Sequence, residues 1–253
     1  MKAAMCFTCL LAIQSSPLPR PEDTEVWTPQ PPVVPPGPFV PSPPPAGAIV
    51  LFDGTDLSNW VSTRDRTPAR WLVQDGVLTV AKGSGNIETR RRFGSYQFHL
   101  EWRIPQHIAG DGQARGNSGV FLASTGDGDL GYELQILDSY RHRTYANGQA
   151  GSIYKQYAPL ANPARRPGEW QSYDIVWQAP TFGLGAMVSR PATVTVFMNG
   201  VLVQDQRVLK GATVYVGEPH YTAHGRAPIK LQDHGDPSAP ISFRNIWVRD
   251  LDS

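Results

Sequence analysis

Three stretches of this chain group side chains that can move protons or hold hydroxyls. The first is Tyr132-Glu133-Leu134-Gln135-Ile136-Leu137-Asp138. Successive side chains of an extended strand face opposite ways, so Glu133, Gln135 and Leu137 share one face and Tyr132, Leu134, Ile136 and Asp138 the other. A carboxyl and a carboxamide two residues apart form either a polar pair in a cleft or part of a solvated sheet face. The second stretch, Lys230-Leu231-Gln232-Asp233-His234-Gly235, sets an amide, a carboxylate and an imidazole in consecutive positions. Histidine titrates near neutral pH and serves as base, acid or metal ligand, or as a structural hydrogen-bonding group. The third is Arg115-Gly116-Asn117-Ser118-Gly119, where glycines permit close backbone approach and Asn and Ser can bond hydroxyls. Its plainer reading is a turn. Asp127-Gly128-Asp129 imitates the start of a calcium loop but lacks the remaining ligands and the closing glutamate, so it reads as a hairpin tip. No nucleophile elbow, His-Glu-x-x-His helix or dinucleotide glycine motif is present.

These residues must be positioned by strands. Amphipathic helical periodicity is nearly absent, while strand signals recur at short intervals. Asp75-Gly76 and Asn199-Gly200 each separate two apolar runs and mark tight hairpins, the second spanning Thr193–Met198 and Val201–Val208. Ser95–Ile104 alternates Tyr96, Phe98, Leu100, Trp102 and Ile104 with Gln97, His99, Glu101 and Arg103. Further runs at 118–123, 170–177 and 241–248 extend the pattern, and the sum is an all-β sandwich of two sheets. The concave face of one sheet in such a sandwich suits an oligosaccharide-sized ligand.

The chain has 253 residues, with 23 basic against 22 acidic side chains and a net charge of +1. That balance removes the electrostatic case for nucleic acid or an anionic membrane as partner. The only two cysteines, Cys6 and Cys9, lie near the N-terminus, so neither a disulfide framework nor a Cys-based zinc site is available to the rest. Residues 1–16 pair a basic start with an apolar run too short to span a bilayer and read as a signal peptide, implying export to the periplasm or the extracellular space. No later stretch is apolar for long enough to be a transmembrane segment. Residues 17–47 are dominated by proline and read as a disordered linker, extended and without a core of its own. Residues 48–253 form the folded unit.

Taken in order, Phe52-Asp53-Gly54-Thr55-Asp56-Leu57-Ser58-Asn59-Trp60, Gly116-Asn117-Ser118-Gly119-Val120-Phe121, the Tyr132–Asp138 stretch, Gly168-Glu169-Trp170, Asn199-Gly200-Val201, Leu231-Gln232-Asp233-His234-Gly235 and Phe243-Arg244-Asn245-Ile246 form one pattern. In it the chain resembles the 3-keto-disaccharide hydrolase domain family, also described as 3-keto-glucoside 1,2-lyase and 3-keto-2-hydroxy-glucal hydratase domains. The resemblance covers roughly Ala48 to Leu251. It implies a concanavalin-like jelly roll of two antiparallel sheets and a bacterial, exported protein.

The resemblance also implies a chemistry. A ketone at C3 of a glucoside acidifies the C2 proton, so a base can remove it and the enolate can expel the C1 substituent. Water can then add to the 3-keto-2-hydroxy-glucal. On this basis His234 is the expected base, with Asp233 orienting it, and Glu133 the expected acid or second base. Gln135, Gln232, Asn117, Lys155 and Asp138 are expected to bind the oligosaccharide or glycoside substrate, with Lys155 able to stabilise an enolate. A partner oxidoreductase would form the 3-ketone. The resemblance fixes no cofactor, and a divalent metal on His220 or His224 is kept as an alternative. Two loops depart from the family pattern, 181–191 and 215–226, and the second is expected to wall the cleft. The rival reading is a non-catalytic, lectin-like carbohydrate-binding module, which would need aromatic platforms and hydroxyl partners but no titrating base.

Overall fold

The computed structural model describes residues 18–252. The signal peptide expected over 1–16 lies outside them. The strands are short at first: β1 (Ile49–Phe52), β2 (Trp60–Ser62), β3 (Leu72–Gln74), β4 (Val77–Thr79) and β5 (Ile87–Thr89). β6 (Tyr96–Arg103), β7 (Ser118–Ser124), β8 (Gly131–Ile136) and β9 (Trp170–Gln178) are longer. A small hairpin, β10 (Thr181–Phe182) with β11 (Val188–Arg190), precedes β12 (Thr193–Met198) and β13 (Val201–Val208). β14 (Lys230–Leu231) and β15 (Ser242–Asp250) complete the chain.

Two antiparallel sheets face each other. The larger runs β13-β12-β9-β6-β15-β4-β3, with β1 also paired to β15, and the smaller runs β2-β5-β14-β7-β8. Both expected hairpins form. Asp75 and Gly76 have φ of 51° and 75°, and Asn199 and Gly200 have φ of 52° and 78°, the doubly positive pair of a turn whose twist matches its strands. Alternation predicts the core correctly along β6 and β9, whereas on β15 a register shift between Arg244 and Trp247 puts Ile246 and Val248, not Asn245 and Trp247, in the core with Phe243. Tyr96, Phe98, Leu100 and Trp102 of β6 are fully buried beside Tyr173 and Trp177 of β9, and they meet Val120, Leu134, Ile136 and Leu231 of the smaller sheet. Two phenols tie the layers together: Tyr96 donates to the Leu122 carbonyl (2.5 Å) and Tyr173 to the Gln135 carbonyl (2.6 Å). The expected β-sandwich is therefore present, with a packed interior and two outer faces.

The expectation of a disordered linker over 17–47 is corrected for its described part. Residues 18–47 form an arm that lies along the sandwich, with one single-turn 3-10 helix at Pro21–Thr24. Proline removes amide donors but leaves every carbonyl as an acceptor, and side chains of the sandwich use those carbonyls. Asn147 clamps the arm, donating to the Thr24 carbonyl and accepting from the Val26 amide, both at 2.9 Å. The Val34 amide donates to the Asn162 carbonyl and the Gly37 amide to that of Asn199. Farther along, the Ser42 carbonyl accepts from Asn245 and from the Trp247 indole. That contact lies on the outer face of the larger sheet, where His99 and Glu101 are buried. Alternation alone assigns these two side chains to a polar outer face, and says nothing of what covers it.

Candidate active site

The outer face of the smaller sheet carries the site. Lys230 of β14 pairs with Glu88 of β5 and Phe121 of β7, and Phe121 pairs with Glu133 of β8, so these side chains form one row. In the next row Gln135 lies opposite Gly119. Over these rows lies a cleft of about 380 Å³ that collects Glu133, Gln135, Asn117, Gln232 and His234, five of the eight residues singled out from sequence. Its remaining walls come chiefly from Asp129, Leu130, Tyr154, Thr213 and Tyr215.

Glu133 is the centre of this arrangement. It is 5% exposed, and its side chain lies over Gly119, where a Cβ would come 2.5 Å from Glu133 Oε1. Its own backbone amide donates to the Thr213 hydroxyl at 3.0 Å. Burial pushes the carboxyl up to about 8, the negative charge of Asp129 adds to this, and the Lys230 ammonium opposes it. No hydrogen bond to the carboxyl offsets the burial. Such a group holds its proton at neutral pH and has it free for a ligand.

Lys230 is fully buried and donates to the carbonyls of Gly126, Gly128 and Leu130 at 2.7, 2.7 and 2.9 Å. All three ammonium protons are thus spent on the β7–β8 tip, the segment expected to be a hairpin end. Burial lowers this ammonium to about 8, partly offset by the acidic groups around it. The tip it holds carries Asp129 and Leu130 into the cleft wall.

The carboxamides are arranged as a chain. Gln135 Nε2 donates to Gln113 Oε1 (3.0 Å) and Asn117 Oδ1 (3.2 Å), and Asn117 Nδ2 donates to the Gln113 carbonyl (2.8 Å). Gln135 Oε1 and Gln232 Oε1 are buried and have no donor among the described residues. Unpaired acceptors are costly when buried, and these two lie on residues that line the cleft.

The pairing expected for His234 is different in the structure. Its Nδ1 lies 3.4 Å from Asp236 Oδ2, so the carboxylate beside it is Asp236. Asp233 is turned away: its amide donates to Asn86 Oδ1 (2.8 Å) and its Oδ2 accepts from the Gly85 amide (3.1 Å). β14 ends at Leu231, so these bonds to Gly85 and Asn86, rather than strand alternation, hold Asp233 away from the imidazole next to it. Asp138 also leaves the site. It is buried with Oδ2 2.7 Å from Arg115 Nε and with Oδ1 accepting from the Tyr140 amide. This agrees with the alternation that puts Asp138 on the face opposite Glu133 and Gln135, and goes against its expected role in substrate binding. Lys155 is buried with its ammonium on the carbonyls of Pro21 (2.7 Å) and Tyr215 (2.8 Å), so it braces the wall of the cleft from behind.

Tyr154, Tyr215, Thr213, Asp129 and Asp236 were not singled out individually from sequence. Tyr215 opens the loop expected to wall the cleft, and Tyr154 stands beside Lys155. Asp236 stands two positions after His234, across a Gly235 with φ of 76°, so no strand alternation points to it. For a metal, His224 is unsuited: its Nδ1 is 2.8 Å from the Gly225 carbonyl and its Nε2 3.0 Å from the Tyr132 hydroxyl. Among the described residues no group of three or more His, Cys, Asp or Glu converges to hold a metal ion.

Comparison with known proteins agrees with this architecture. A crystal structure from Parabacteroides distasonis ATCC 8503, provisionally described as a glycosyl hydrolase, is 49% identical, with a TM-score of 0.79 over 91% of this chain and 96% of that one. A second structure from that organism with the same description is 22% identical, with a TM-score of 0.57 over 81% and 99% of the two chains, and shares the fold. A 3-keto-disaccharide hydrolase of Bacteroides thetaiotaomicron is 24% identical over 81% of this chain and 79% of its own. The model of the 3-keto-alpha-glucoside-1,2-lyase-like domain matches residues 47–249, the whole sandwich and its cleft, and the chain belongs to that family.

Proposed function

We propose that this protein cleaves 3-keto-glycosides by deprotonation at C2 and β-elimination at C1, followed by hydration of the 3-keto-2-hydroxy-glucal. The observation that carries this reading is Glu133: a buried carboxyl, pushed up to about 8 by that burial and without a hydrogen-bond partner among the described residues, in the same cleft as a histidine. An elimination needs one group ready to take a proton and one ready to give one.

In this reading His234, steadied by Asp236, takes the C2 proton. The electron pair moves onto the C3 oxygen, where the outward-facing end of the Gln232 carboxamide donates. The C1–O bond then breaks as C1=C2 forms, and the leaving oxygen takes the proton of Glu133. Water adds at C1 in the second half: Glu133, now a carboxylate, takes its proton, and the His234 imidazolium returns a proton to C2. Both residues end as they began, and the sum is hydrolysis of the glycoside. Asn117 and the unpaired oxygens of Gln135 and Gln232 order the sugar hydroxyls. A partner oxidoreductase supplies the C3 ketone, and export of the chain places cleavage outside the cytoplasm.

The test is incubation of the protein with a 3-keto-glucoside, with its unoxidised parent and with the keto substrate deuterated at C2. Release of the leaving group from the keto sugar alone, slowed by deuterium, is expected. Equal cleavage of the parent sugar would overturn the elimination. Binding of both sugars without cleavage of either would make this a carbohydrate-binding module.

A further inference from the structure

The arm at residues 18–30 reaches the cleft by two separate routes, and each ends on a tyrosine that lines it. In the first, the Lys155 ammonium joins the Pro21 carbonyl of the arm (2.7 Å) to the Tyr215 carbonyl (2.8 Å) and lies 4.5 Å from the centre of the Tyr215 ring. In the second, Trp27 of the arm packs edge-on against Tyr145 at 6.0 Å, and the Tyr145 hydroxyl bonds that of Tyr154 at 2.7 Å. Tyr154 and Tyr215 are the two tyrosines among the described residues that line the cleft.

The arm is anchored too well for its contact to be incidental. Asn147 holds its backbone at Thr24 and Val26, the Ala146 amide donates to the Val26 carbonyl (2.6 Å), and Gln30 donates to the Thr144 carbonyl (3.0 Å). The same Asn147 accepts the Lys155 amide on its carbonyl at 2.8 Å, so the clamp on the arm and the brace behind Tyr215 share one residue. Lys155 has a φ of 58°, a left-handed conformation that a non-glycine residue keeps only where its surroundings hold it. Tyr215 itself is 63% exposed, an open aromatic face at the rim of the cleft. Such a face takes the apolar side of a sugar ring.

We propose that the arm is a working wall of the site: through Lys155 and Trp27 it fixes Tyr215 and Tyr154 as an aromatic platform for the second ring of a two-ring glycoside. This rests on the proposed glycoside cleavage and adds which substrates are preferred. The arm precedes the sandwich and is almost wholly outside the family match at 47–249, so selectivity for a two-ring substrate is carried by residues beyond the family domain.

Lys155→Met and Trp27→Ala each cut one route, and Lys155→Arg keeps two donors to the carbonyls. In the full chain, KM is measured for a 3-keto-disaccharide and for a 3-keto-glucoside with a methyl leaving group. Loss of one ring contact is expected to raise KM for the disaccharide about tenfold relative to the methyl glycoside, with kcat lowered less than twofold, and Lys155→Arg to recover most of it. An unchanged ratio of the two KM values, or an equal loss on both substrates, would overturn the proposal. Should the parent protein cleave neither substrate, the proposed chemistry fails, and calorimetric titration with the intact disaccharide reads the wall instead. Weakening of about tenfold in Lys155→Met and Trp27→Ala would then support the wall, while equal affinity or no binding would overturn it.

Discussion

In the proposed chemistry Glu133 gives a proton, and its surroundings suit it to that role. The Glu133 carboxyl ordinarily titrates near 4.5 and is pushed to about 8 by burial, with Asp129 adding and Lys230 opposing. Activity that needs its proton is expected to fall as pH rises through about 8, read from the alkaline limb of kcat/KM. Glu133→Gln keeps the shape and removes the proton, with an expected loss of about 10²–10⁴-fold in kcat, the usual worth of a positioned acid. The same shift makes a stability statement. Between about 4.5 and 8 the folded state holds a proton that the unfolded state has released, so stability falls as pH rises across that window. Thermal unfolding of Glu133→Gln should lose that slope. Asp236→Asn is expected to lower kcat more than Asp233→Asn, because Asp236 is the carboxylate beside the imidazole while Asp233 bonds the backbone of Gly85.

At the scale of strands, β7 and β14 hold Glu133 in place by what they lack and what they lend. Gly119 leaves the space the carboxyl occupies, with Glu133 Oε1 2.5 Å from where a Cβ would stand. Gly119→Ala should therefore displace the carboxyl and reduce kcat about tenfold or more while leaving the melting temperature nearly unchanged, since the strand pairing remains. β14 supplies Lys230, whose three bonds close the β7–β8 tip. Lys230→Met would leave three carbonyls without that donor and is expected to cost about 2–4 kcal/mol in chemical denaturation. It also removes the one positive charge that opposes the rise of Glu133, so the alkaline limb of the pH profile should move upward.

For the whole molecule, the sandwich and its arm act as one body. The arm covers the outer face of the larger sheet at Ser42 and reaches the cleft of the smaller one at Pro21 and Trp27. Under the Ser42 end sits His99, with Asp174 at 2.7 Å on Nδ1 and Glu101 at 3.8 Å from Nε2. Burial alone would lower this imidazole, but its hydrogen bond to Asp174 and the negative charges of Asp174 and Glu101 outweigh it and the net shift is upward. Removal of residues 18–47 is expected to lower the melting temperature by about 5–10 °C, measured by scanning calorimetry. The sequence by itself determined the longer strands, both hairpin turns, the core faces of β6, β8 and β9 and the family, because period, turn chemistry and motif order are all local or linear. On β15 the register shift between Arg244 and Trp247 breaks the alternation, so Ile246 and Val248 join Phe243 in the core while Trp247 faces out. It also singled out Glu133 and Gln135, which alternation along β8 puts on one face, and Gln232, which the motif order marks. Only the tertiary structure decided that Asp236 rather than Asp233 serves His234, that Asp138 is held by Arg115, and that Lys155 braces an arm more than a hundred residues away. Those outcomes turn on where a strand ends and on which distant carbonyl needs a donor, and neither is written in the spacing of residues along the chain.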